Sequence, residues 1–123
     1  MSIAEIKTAD LATESVVGPQ EISLKLVGSA ETDAMKTLDA YLKSVHAVAK
    51  PSHLPVVVDL RSLEFMNSSC FKAFVSWIRT LQDLPATDQY KVRFLSDSKK
   101  HWQSRSLGAL ACFAVDLIHI EPS

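Results

Sequence analysis

The chain has 123 residues, the size of one ordinary domain, and its 47% hydrophobic against 22% charged residues places it with folded globular proteins rather than with disordered tails. Its 13 Lys and Arg stand against 14 Asp and Glu, for a formal charge of -1, which gives no basic footprint for nucleic acid or an anionic membrane and leaves proteins or small molecules as the expected partners. The most apolar run, residues 113–120, is broken by Asp116 and His119 and falls short of a membrane span, and the start MSIAEIKTAD lacks the basic opening and apolar block of a secretion signal, so the cytoplasm is the expected location.

In chain order, Gly18-Pro19 marks a turn, and residues 15–17 before it read as one arm of a hairpin. The other arm is 22–27, where Ile22, Leu24 and Leu26 alternate with Ser23 and Lys25 at the period of a half-buried strand, closed by Gly28-Ser29. Met35, Leu38, Leu42, Val45 and Ala49 recur at three- and four-residue steps, which predicts an amphipathic helix with acids near its start and bases toward its end. Pro51 and Pro55 bracket a loop. The β-branched run Val56-Val57-Val58 then predicts a central strand covered on both faces.

Residues 59–67 read as a connection. Phe71, Phe74, Val75, Ile78 and Leu81 fall at helical spacing again, in a second helix that ends before Pro85. Residues 90–95 alternate as a strand, and 98–112 read as a third helix interrupted by Gly108. Val115, Leu117 and Ile120 suggest a last strand. This alternation predicts an α/β fold, a mixed sheet of four to five strands packed with three to four helices, its later strands parallel through right-handed crossovers. Residues 1–14 are expected to be a loose segment or a first strand, and 15–123 the domain.

The most informative stretch is VVVDLRSLEFMNSSCFKAFVSWI, which places Asn67, Ser68 and Ser69 where a loop becomes a helix. Asn and Ser cap helices because their side-chain oxygens accept from amides that have no carbonyl partner. The same amides and the positive end of the helix dipole favour a negative group there, including a phosphate carried by a serine.

The run DLRSLEFMNSSCFKAFVSWI resembles the signature of the STAS family, in which an aspartate-leucine strand end leads through an apolar loop into an Asp-Ser-Ser-Gly-type helix start. With the matching order of strands and helices, the resemblance covers residues from about 15 to 120. It implies a single STAS-like domain without enzymatic activity. In the anti-sigma factor antagonists of that family, the serine after the acidic residue is phosphorylated by a cognate anti-sigma kinase. The unmodified form binds the anti-sigma factor, and phosphorylation prevents that binding. Carried onto this chain, the phosphorylated serine is Ser68, with Ser69 as the second choice. Asn67 stands where the family has an acid, and Cys70 where it has glycine. The resemblance thus implies a partner surface of Met66, Asn67, Ser68, Ser69, Phe71 and Lys72 facing an anti-sigma factor or serine kinase. Some family members are never phosphorylated and act as scaffolds or oligomer subunits, and Asn67 and Cys70 keep that alternative, including a homo-oligomer, open.

Other chemistries find little footing. Cys70 at a helix start could be an activated thiol, which gives the alternative of a small thiol enzyme, but a small core filler is the plainer reading for it and for Cys112. No G-x-S-x-G elbow, phosphate-cradling glycine loop or metal-ligand spacing is present, so no catalytic residue, cofactor or metal is expected. His46, His53, His101 and His119 read as surface residues. Trp77 and Trp102 read as partly buried helix residues, and the basic start Lys99-Lys100-His101 as a solvated helix end.

Overall fold

A computed structural model describes residue 3 and residues 5–122. Strand β1 (Leu11–Val17) and strand β2 (Ile22–Ala30) form an antiparallel hairpin, closed by the Gly18 amide on the Glu21 carbonyl at 2.9 Å. A 3-10 turn at Thr32–Ala34 leads into helix α1 (Met35–Ser52). Strands β3 (Val56–Asp59) and β4 (Leu63–Met66) precede helix α2 (Ser68–Gln82). A second 3-10 turn at Ala86–Asp88, strand β5 (Val92–Ser96), helix α3 (His101–Phe113) and strand β6 (Ile118–Pro122) complete the described chain.

The sheet runs β1-β2-β3-β5-β6, with β4 paired to the far end of β2. Strands β2, β3, β5 and β6 are mutually parallel. Each crossover steps the same way across the sheet, so right-handed connections put α1, α2 and α3 on one face. Burial agrees. Ile22, Leu24, Leu26, Val56, Val58, Val92 and Phe94 are at most 1% exposed and share one core with Leu38, Leu42, Phe74, Ile78 and Leu110. The opposite face carries Lys25, Asp59, Arg93, Leu95, His119 and Glu121 in register.

The expectation of a central β3 covered on both faces is met in burial, since Val56, Val57 and Val58 are all buried. Only one of its faces meets helices. Val57 lies outside the main core yet is only 6% exposed, flanked in register by Ser23 and Arg93, and long cationic stems cover apolar neighbours in this way.

The sheet has six strands where four to five are expected, because part of the connection 59–67 pairs as β4. Strand β1 extends well before residue 15, and α3 starts at His101 rather than at 98. Helix α1 runs through Pro51 and ends only at His53, whose left-handed backbone (φ 57°) lets its amide reach the Ala49 carbonyl at 2.9 Å. Proline in a last turn forfeits one hydrogen bond without breaking the helix behind it. Gly108 interrupts nothing. Cys112 is exposed rather than a core filler.

The strand β2 does not close at Gly28 but bulges there. Gly28 has φ 104°, and a Cβ on it would stand 2.1 Å from the Asp10 carbonyl oxygen. Only glycine fits that conformation and that approach. The register slips at this point, so Ser29 and Ala30 pair with Phe65 and Met66 of β4. The bulge thereby sets where β4 delivers the chain into α2.

Candidate partner-binding site at the start of the second helix

Asn67 leaves β4 with its amide on the Ala30 carbonyl at 2.7 Å, in extended conformation (φ -64°, ψ 149°), and becomes the cap of α2. Its Oδ1 accepts from the Ser69 amide at 2.9 Å, and its carbonyl accepts from Cys70 and Phe71, each at 3.0 Å. The first turn is thus held by one residue on both sides of its backbone. Among the three capping candidates of the sequence, the structure selects Asn67.

Ser68, the first helical residue, is exposed, and its hydroxyl makes no hydrogen bond among the described residues. Met66, Asn67, Ser69 and Phe71 are half-buried and Lys72 is exposed, so all six expected surface residues cluster around the helix start. Lys72 lies four residues after Ser68, on the same helix face. Phe65, 43% exposed directly before Met66, adds an aromatic that the sequence reading leaves out. Its signal is an aromatic at an outward position of a strand, which is visible only once β4 is recognised as one.

Cys70 does not share this surface. It is fully buried, and its thiol meets the Glu31 carbonyl at 3.0 Å. Burial pushes the thiol's pKa up, with the carboxylates of Asp33 and Glu31 adding to the effect. Thiol catalysis needs the reverse, an accessible sulfur with a lowered pKa, so the geometry speaks against Cys70 as a nucleophile. The same carboxylates make the rim of the site acidic, against the positive end of α2.

A second cluster fixes the β3–β4 turn that precedes the site in the chain. Gln103 is fully buried and completely used. Its Nε2 donates to the carbonyls of Leu60 (2.6 Å) and Leu63 (3.0 Å), and its Oε1 accepts from the Asp97 amide at 2.9 Å. Trp102 Nε1 donates to the Glu64 carbonyl at 2.9 Å. Lys100 Nζ reaches the Arg61 carbonyl at 2.6 Å and stands near Asp97 and Glu64. The start of α3 is therefore clamped onto the β3–β4 turn, which corrects the reading of a solvated end for Lys100, while Lys99 and His101 are exposed as expected. Gln103, Leu107 and Leu110 fall at helical spacing, and a lone glutamine in that stripe is the sequence signal for such a clamp. Asp59 fixes the other side of this turn. Its carboxylate takes Arg61 Nε at 3.0 Å and an Nη at 2.9 Å, and this hydrogen bonding holds its pKa below the usual carboxylate range despite partial burial.

Among the described residues no helix is long and apolar enough to cross a membrane, and no cluster of His, Cys, Asp and Glu could hold a metal ion. No family model and no curated protein matches the sequence. Among solved structures the chain is similar to the crystal structure of an anti-sigma factor antagonist from Mycobacterium paratuberculosis, at 15% identity and a TM-score of 0.68, over 93% of this chain and 87% of that one. At that identity the likeness is one of fold. The chain has a STAS-like fold.

Proposed function

We propose that this STAS-like chain is a non-enzymatic, cytoplasmic regulatory module that binds a protein partner through the start of α2 and is switched by phosphorylation of Ser68. The observation that carries the reading is an exposed, uncommitted hydroxyl at the first residue of a helix whose cap is a neighbouring side chain. A kinase can take that hydroxyl without dismantling the cap. The fold shared with an anti-sigma factor antagonist supports a partner of the anti-sigma factor kind.

A phosphate on Ser68 adds nearly two negative charges. The amides and dipole of α2 favour it locally, and Lys72 one turn on is placed to pair with it. Glu31 and Asp33 beside the first turn oppose it. The backbone is fixed from both directions, so the modification acts by changing the charge of the Phe65-Met66-Phe71 surface rather than by refolding it. An apolar interface that accepts the hydroxyl form would then have to bury a doubly charged group, which is strongly unfavourable.

The alternative is an unmodified scaffold of the same fold, favoured by Asn67, which caps α2 without the charge that an acid would bring. Peptide mass spectrometry of the protein isolated from its own cells separates the two. Phosphate on the 67–72 peptide, localised to Ser68, is expected. Consistent absence across growth and stress conditions would leave the scaffold.

A further inference from the structure

Along the middle and C-terminal half of α2, from Ala73 to Thr80, a cleft of about 170 Å³ opens between α1 and α2. Its walls are Leu42, Ala47, Ala73 and Trp77, and the Asp39–Lys43 ion pair, 3.1 Å, stands at its border. Ser76 and Thr80 line it as well, the Thr80 hydroxyl donating to the Ser76 carbonyl at 2.9 Å, and the His46 ring brings a directional donor.

The state of that ring follows from its neighbours. Tyr90 is 2% exposed and its Oη accepts from Trp77 Nε1 at 2.8 Å. The phenol's own proton needs an acceptor, and His46 Nδ1 stands at 2.7 Å. Tyr90 therefore donates to Nδ1, and the neutral ring keeps its proton on Nε2. Nε2 makes no hydrogen bond among the described residues, and no described buried side-chain nitrogen or oxygen lacks a partner, so this N–H is accessible from outside. The Trp77-Tyr90-His46 chain thus holds a donor in fixed orientation beside an apolar cleft. Mostly apolar walls with a few convergent polar groups are the usual make-up of a small-molecule site.

We infer that the α1–α2 cleft binds a small, uncharged, largely apolar molecule, one ring with a short substituent, whose carbonyl oxygen accepts from His46 Nε2–H. The size follows from the cleft, since an apolar cavity of about 150 Å³ accommodates benzene. The absence of charge follows from the lining. Asp39 and Lys43 neutralise each other, and a neutral imidazole offers a carboxylate no compensation for its lost hydration.

The test uses acetophenone and ethylbenzene, which share shape and differ in the carbonyl, titrated into the full chain and followed by NMR. Acetophenone should shift the Trp77 indole N–H and the amides of 42–47 and 73–80 while leaving the Trp102 indole in place. It should bind roughly two- to tenfold more tightly than ethylbenzene, the range of one net hydrogen bond. Ala47→Leu, at an exposed helical position, fills the cleft without touching the hydrogen-bond chain and should abolish the shifts. Equal affinity for the two compounds, shifts from neither up to their solubility, or unchanged binding to Ala47→Leu would each overturn the inference.

Discussion

Replacing Asn67 and replacing Ser68 should separate the cap from the switch, because neighbouring residues hold the two roles. Asn67→Ala removes the acceptor of the Ser69 amide and should cost about 1 kcal/mol in urea unfolding. Ser68→Ala breaks no hydrogen bond among the described residues and should stay within about 0.5 kcal/mol of the parent, while abolishing the phosphate signal on the 67–72 peptide. A large destabilisation by Ser68→Ala would mean that the hydroxyl is structural. His46 supplies a second test at this scale. Burial, and secondarily the Lys50 charge, lowers its pKa below the ordinary 6.5. Protonation would also put a second N–H toward Tyr90 and strand the phenol proton. The unfolded chain then binds more protons at this site than the folded one once the pH falls below about 6.5, so stability must drop with falling pH from there to the folded pKa and level off below it. Asp39, Lys43 and Lys50 lie on the same helix and Tyr90 beneath it, so the readout is a difference. The melting temperature should decline between pH 7.5 and 5.5 more steeply for the parent than for His46→Gln, whose amide oxygen can still accept from Tyr90. Parallel pH profiles would reject the assignment.

At the scale of elements, the bulge in β2 ties the hairpin to the functional helix. Gly28→Ala places a methyl against the Asp10 carbonyl at a φ that side chains rarely adopt, and should cost roughly 2 kcal/mol or more. The disturbance should spread through the β2–β4 pairing to the Asn67 amide, seen as faster hydrogen exchange at 67–71 than at 56–59. Exchange changes confined to residues 8–12 and 26–29 would show that the site does not depend on the bulge. The β2 strand, helices α1 and α2 and the cap were legible from sequence because each is written in local periodicity and capping chemistry. The bulge and β4 were not. Gly28-Ser29 reads equally as a strand end, and LEFM carries too little alternation to declare a strand whose partner, among the described residues, lies more than 30 positions back. The same limit hid the clamp of α3: that Gln103 satisfies two carbonyls of the β3–β4 turn follows from where α3 docks, which its own sequence does not state. Likewise His46 looks like a surface residue until Tyr90, far along the chain, is found beneath it.

The described residues form one core on one side of one sheet, and this determines how the molecule should come apart. Leu107 and Leu110 of α3 and Ile118 of β6 belong to the same buried cluster as Leu24, Val45 and Phe74, so neither end of the sheet has a core of its own to retain. The open face, with its alternating Lys25, Asp59, Arg93 and Glu121 and the Arg93–Glu121 pair at 2.7 Å, adds little, since exposed pairs contribute only a fraction of a kcal/mol. The two tryptophans sit in different helices and report on different halves: Trp77, 4% exposed, on the α1–α2 packing, and half-buried Trp102 on the clamp of α3. Urea unfolding followed by far-ultraviolet circular dichroism, by Trp77 fluorescence in Trp102→Phe and by Trp102 fluorescence in Trp77→Phe should give one transition for each protein, with the optical and dichroism curves of that protein superimposing and a slope of roughly 1–3 kcal/mol per molar urea. Trp77→Phe should shift the midpoint downward, because the lost indole N–H leaves the Tyr90 oxygen without its donor. If instead Trp102 fluorescence changed well before the dichroism, α3 would be a separately melting unit, and the clamp through Gln103 would be too weak to couple it to the site.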